Sequence, residues 1–154
     1  MMGRVLGISV VVAALVVSTS AAMAGVPKEV LRQKLTSTKV RGSVLGLFEK
    51  AQGSTAPVLV VMKNKADLTA AKSLATREAR GRFVYDALRS VAQSSQKEVR
   101  ALLDSRGVKY RAYYITNMIS IEGATPDLVA ELAARTDVGH VSGNPNVKMK
   151  GLPK

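Results

Sequence analysis

The sequence predicts an α+β domain whose elements run strand, helix, strand, strand, helix, strand, and three stretches predict it. Val58-Leu59-Val60-Val61-Met62 is a continuous apolar run of strand length between Pro57 and Lys63-Asn64-Lys65. Val84, Leu88, Val91, Ser95, Val99 and Leu102 recur at three- and four-residue steps, which is the period of a long amphipathic helix ending at Gly107. Two β-branched and aromatic runs follow, Lys109 to Ile115 and Met118 to Glu122, with Thr116-Asn117 placed as a two-residue hairpin turn.

The remaining elements complete the order. Asp67 is placed to cap a short turn through Leu74. Thr125-Pro126-Asp127 supplies an N-cap, a proline at the first helical position and an acid in the first turn, so a second helix starts there and ends near Arg135. Val138 to Val141 makes the last strand before Gly143-Asn144-Pro145. This β-α-β-β-α-β order is the ferredoxin-like split unit, in which two helices cover one face of a four-stranded antiparallel sheet and leave the other face open.

The segments outside the domain, which spans residues 56–145, read differently. Residues 1–24 have the pattern of a secretory signal: Arg4, an apolar stretch from Val5 to Val17, and a small-x-small site at Ala22-Met23-Ala24 with cleavage expected after Ala24. The apolar stretch is shorter than the roughly 20 residues that span a bilayer, so the mature chain is expected in a secreted or periplasmic location without stable membrane insertion. Residues 25–55 combine a short amphipathic piece around Val30, Leu31 and Leu35 with Gly42, Gly46, Gly53 and scattered Ser and Thr, the composition of a flexible basic lead-in with room for one weak helix. Residues 146–154 form an extended C-terminal tail.

Charge and composition narrow the function. The net charge is +12 and no cysteine occurs, so acidic or anionic partners are favoured and no disulfide framework exists. His140 is the one histidine, it falls in a strand, and no Asp-His-Ser or zinc constellation can be assembled around it. The expectation is a non-enzymatic protein with no catalytic residues, no cofactor and no metal.

Strand parity gives candidate binding residues. With Thr116-Asn117 as the turn, Ile115 pairs with Met118 and Tyr113 with Ser120, while Tyr114, Ile119 and Ile121 point to the core. Tyr113, Ile115, Met118 and Ser120 then lie on the open sheet face beside one parity of the Val58 to Met62 strand, and an exposed apolar patch of that kind marks a partner surface. The alternative is that the lead-in folds over this face. Tyrosines on a ferredoxin-like sheet also suggest single-stranded RNA stacking. Against it, the RNA module's Gly-aromatic motif is missing, Tyr113 and Tyr114 face opposite ways, and an exported chain does not meet RNA; no nucleic-acid partner is expected.

The run GRFVYDALRSVAQSSQKEVRALLDSRGVKYRAYYITNMISIEG, followed by LVAELAARTDVGHVSGNPNV, resembles the N-terminal propeptide (peptidase inhibitor) domain of secreted subtilisin-like serine proteases, in the bacterial branch with a lengthened first helix. The likeness covers roughly Pro57 to Val147, and it rests on the order and spacing of the helix start, the hairpin and the last strand. It implies a ferredoxin-like fold, a subtilisin-like serine protease as partner, docking by the open sheet face, and action as inhibitor and folding chaperone. It further implies that Val147, Lys148, Met149, Lys150, Gly151 and Leu152 lie in the protease's active-site cleft by main-chain pairing. No catalytic domain accompanies the module, so a truncated protease precursor is one alternative and a periplasmic binding module unrelated to proteases is another.

Overall fold

The computed structural model describes residues 27–52 and 54–144. The predicted signal segment and its cleavage site, and the predicted tail Val147 to Leu152, lie outside these residues. Four helices and four strands appear in the order α1 (Lys28–Lys34), α2 (Gly42–Lys50), β1 (Ala56–Met62), α3 (Arg77–Ser105), β2 (Tyr110–Tyr113), β3 (Met118–Ala124), α4 (Pro126–Ala134) and β4 (Val138–Gly143). The strands form one antiparallel sheet in the order β2-β3-β1-β4, so from β1 onward the chain has the ferredoxin-like arrangement that the sequence predicts.

β1 shows why the sheet is two-sided. Ala56, Val58, Val60 and Met62 are buried and Pro57, Leu59 and Val61 only half-buried, the strict alternation of a strand with one covered face. The strand begins two residues earlier than the apolar run suggests. Pro57 is accommodated because the register to β3 shifts between Ala56 and Val58, a bulge where a missing N–H costs no ladder bond.

α3 is capped by Thr76, whose side chain accepts from Ala79 N, and it ends before Gly107 at φ 62°, a left-handed position that glycine adopts without strain. Asp67 caps as expected: its Oδ1 accepts from Thr69 N at 3.0 Å and from Thr69 Oγ1 at 2.7 Å at the start of a 3-10 turn, Thr69–Ser73. Thr125 accepts from Leu128 N and opens α4, with Pro126 at the helix start.

The lead-in is a correction. Residues 25–55 were expected to be flexible, but α1 and α2 lie within them and Leu31, Leu35, Val44 and Phe48 belong to the hydrophobic core. Phe48 is the largest fully buried side chain. The physical reason is that each pair sits at i, i+4, one helical face, while Gly42 and Gly46 dilute the composition; a helical glycine costs only about 1 kcal/mol, less than burying a phenylalanine returns.

The lead-in also joins the covered side. Val40 forms a parallel bridge to Val141, with Arg41 N donating to Val141 O and Val141 N to Lys39 O, both at 2.8 Å, so the segment extends the sheet beyond β4. α2 then crosses the core side, where Gly143 pairs with Val58. A Cβ at Gly143 would stand 2.6 Å from Leu47 Cδ1 and 3.2 Å from Ser43 O, so a larger residue there would force the Leu47 side chain aside where α2 approaches β4. α1 packs on α2 and α4, and Lys34 Nζ reaches Asp127 Oδ1 at 2.6 Å. The helices therefore gather on one face and the other face stays bare.

Candidate functional site

The bare face is built from two rows of side chains that cross all four strands. Pairing of Tyr113 with Met118, Met118 with Val61 and Val61 with His140 forms one row. Arg111 with Ser120, Ser120 with Leu59 and Leu59 with Ser142 forms the second. These residues alternate with the buried set Val58, Val60, Ile119, Ile121 and Val141, so their side chains point away from the helices. The result is an apolar centre, Leu59, Val61 and Met118, with Tyr113 and Arg111 at one edge and His140 and Ser142 at the other.

The hairpin register differs from the expected one by two residues. Tyr113 pairs with Met118 rather than Ser120, and Ser120 pairs with Arg111. An even shift preserves parity, so Tyr113, Met118 and Ser120 keep the face assigned to them. Ile115 does not: it lies in the turn, 66% exposed, and has no strand partner. Tyr114, expected in the core, is 38% exposed and stacks edge-on against Tyr85 of α3, ring centroids 5.6 Å apart.

The cause of the longer turn is Asn117. It takes a left-handed φ of 45° and its N–H donates to Tyr114 O at 3.3 Å. Its side chain is buried, with Oδ1 accepting from Gln96 Nε2 at 2.9 Å and Nδ2 donating to Asn64 O at 2.8 Å and to Ser95 Oγ at 3.0 Å. Gln96 Nε2 also donates to Tyr113 O at 3.0 Å. Side-chain amides from α3 and the turn thus clamp the hairpin end to the helix and to the chain leaving β1. Among the described residues no buried side-chain polar atom lacks a hydrogen-bond partner, which is what permits the cluster's burial.

The electrostatics of the bare face are simple. Burial, and then the charge of Arg41, push the His140 imidazole below its ordinary pKa and so favour its neutral form. Asn144 Nδ2 donates to Ser120 Oγ at 3.4 Å across β1. Among the described residues no group of three or more His, Cys, Asp or Glu side chains is placed to hold a metal ion, and no helix is long and apolar enough to cross a membrane. What the arrangement offers is a sheet surface for contact.

Two features escaped sequence reasoning. Arg111 shares the Ser120 row, and the spacing Lys109-Tyr110-Arg111 would have revealed it had the four-residue turn been used. The Asn117 clamp carried a fainter signal, namely two adjacent polar residues, Ser95 and Gln96, on the apolar stripe of α3. Comparison of the chain with protein-family models, with curated proteins and with solved structures finds no match.

Proposed function

We propose that the chain is an exported, non-enzymatic inhibitor and folding assistant of a subtilisin-like serine protease. It docks on the protease by the bare sheet face and lays residues 146–154 in the active-site cleft. The observation that carries this reading is the position of the lead-in: α1 and α2 pack on the helix side, so Leu59, Val61, Met118 and Tyr113 remain available to a partner. The likeness of residues 57–147 to propeptide domains supplies the protease as that partner. In the cleft, Pro153 follows Leu152 and has no N–H to donate, so a tail ending its contacts at Leu152 resists cleavage.

An inhibition assay of the full chain against a panel of subtilisin-like enzymes tests the reading. The expected result is tight inhibition of at least one enzyme, weakened by Tyr113→Glu and by removal of residues 147–154. Inhibition of none, or inhibition by both variants as strong as that of the full chain, overturns it.

A further inference from the structure

The sheet ends at β2, and the outer side of that strand carries unused hydrogen-bonding groups. In an antiparallel ladder the pairs that exchange hydrogen bonds alternate with those that do not. Glu122 N donates to Lys109 O, which puts Lys109, Arg111 and Tyr113 in the bonded positions and turns the N–H and C=O of Tyr110 and Ala112 away from β3. Ala112 is exposed. Beside it lies a groove of about 320 Å³ between the edge and α3, lined by Arg89, Gln93, Gln96, Arg100, Ala112 and Tyr114 among others. Among the described residues neither arginine pairs with a carboxylate. Arg89 sits over the Tyr85 ring at 5.7 Å, and Arg100 Nε lies 3.4 Å from Tyr110 Oη. Arg111 stands on the other flank of the same strand.

We propose that this edge, which adjoins the bare face and shares Arg111 with it, is a binding site for an extended acidic segment of another protein, which adds to the sheet as a fifth strand next to β2. The segment's backbone pairs with the outward groups of Tyr110 and Ala112, and its carboxylates meet Arg89 and Arg100 in the groove and Arg111 opposite. Charge selects the occupant. A second copy of a chain with net charge +12 would set arginine against arginine. A nucleic acid satisfies the arginines but lacks the regularly spaced N–H and C=O groups that a strand edge needs.

Three capped, labelled octapeptides test this on the full chain: alternating Glu and Thr, the same with Gln for Glu, and the Glu peptide N-methylated at alternate residues. The Glu peptide is expected to bind and to slow amide exchange at Tyr110 and Ala112, and the other two to bind about ten-fold more weakly. Arg100→Gln should weaken the Glu peptide by a similar factor, with Arg89→Gln as the substitute should the first variant not fold. Failure of the Glu peptide to bind overturns the proposal and leaves the basic flanks as guards against edge-to-edge pairing. Equal binding of the N-methylated peptide, or its displacement by oligothymidylate at equal concentration, also overturns it by showing an anion surface that does not use the strand.

Discussion

Val60 and Val61 are chemically identical neighbours on β1, yet one is sealed beneath four helices and the other faces outward between Met118 and His140. The covered side has Phe48, Val58, Val60, Val99, Ile119 and Leu132 fully buried in one cluster. The bare side has Leu59, Val61 and Met118 half-buried across its two rows, whose outer ends are Tyr113, Arg111, His140 and Ser142. Hydrophobicity alone cannot distinguish the two sides, because both parities of β1 are apolar. What separates them is where the flanking segments go, and that is decided by i, i+4 pairs outside the sheet.

The sharpest way to break this comparison is to strip the covered side of its unexpected contributor. Phe48→Ala should destabilise the domain by about 3–5 kcal/mol, the cost of emptying a well-packed aromatic site. A chain beginning at Ala56 should not fold cooperatively, since it would expose the core surface under α1 and α2. Denaturant unfolding reads both. If the shortened chain keeps its stability, the lead-in is the flexible appendage that its composition suggested.

The second effect concerns the clamp that sets the edge of the bare side. Asn117→Ala should cost about 1–3 kcal/mol for the buried partners left unpaired, and about 1 kcal/mol more because alanine is strained at φ 45°. Asn117→Gly removes the first contribution's bonds but tolerates the conformation, so it should be the milder change. Thermal unfolding of the two variants decides it; equal losses would mean that the backbone conformation contributes nothing.

These effects also show how far the sequence could be read. Element order, the caps at Asp67 and Thr125, the stop at Gly107 and the bare-face parity of Tyr113, Met118 and Ser120 were legible because each depends on residues close together in the chain. The lead-in was not, because its amphipathicity is spread over two helices of seven and nine residues interrupted by glycine and has meaning only against β4 and α4. Ile115 was misplaced for a similar reason. Thr116-Asn117 suits a two-residue turn locally, but the buried bonds of Asn117 to Ser95, Gln96 and Asn64 come from distant chain segments and favour a longer one.

A smaller effect is expected where the covered side meets solvent. The guanidinium of Arg135 hydrogen-bonds the Asp137 carboxylate at 2.7 Å and holds its pKa below the ordinary value, against the opposing effect of burial. Because the folded pKa is depressed, the pair's stabilisation is present above the unfolded carboxyl pKa of about 3.9 and is lost as the pH falls through the folded value. With both side chains partly exposed it should amount to less than about 1 kcal/mol. The gap in thermal midpoint between the parent and Asp137→Asn should therefore close on acidification from about pH 5 to about pH 2. A gap constant over that range would show that the carboxylate is unperturbed.

The smallest effect on stability belongs to the exposed apolar residue in the turn next to the bare side, and there the comparison can be sharpened most. Ile115 is 66% exposed at the hairpin tip, so Ile115→Glu removes little buried area and should change the unfolding free energy by no more than about 0.5 kcal/mol. Tyr113→Glu, at 37% exposure and in contact across the strand with Met118, should cost somewhat more while leaving the fold intact. If the bare face docks on a protease as proposed, the order reverses in binding. Tyr113 is continuous with the apolar row through Met118 and Val61, so its replacement should weaken association by about 2 kcal/mol or more, as for a central contact, whereas Ile115 stands in a turn at the rim and should matter less. Calorimetric titration of both variants, alongside their unfolding curves, separates the two quantities. A larger binding loss from Ile115→Glu would move the docking surface from the strand row to the hairpin tip beside Tyr114 and Tyr85.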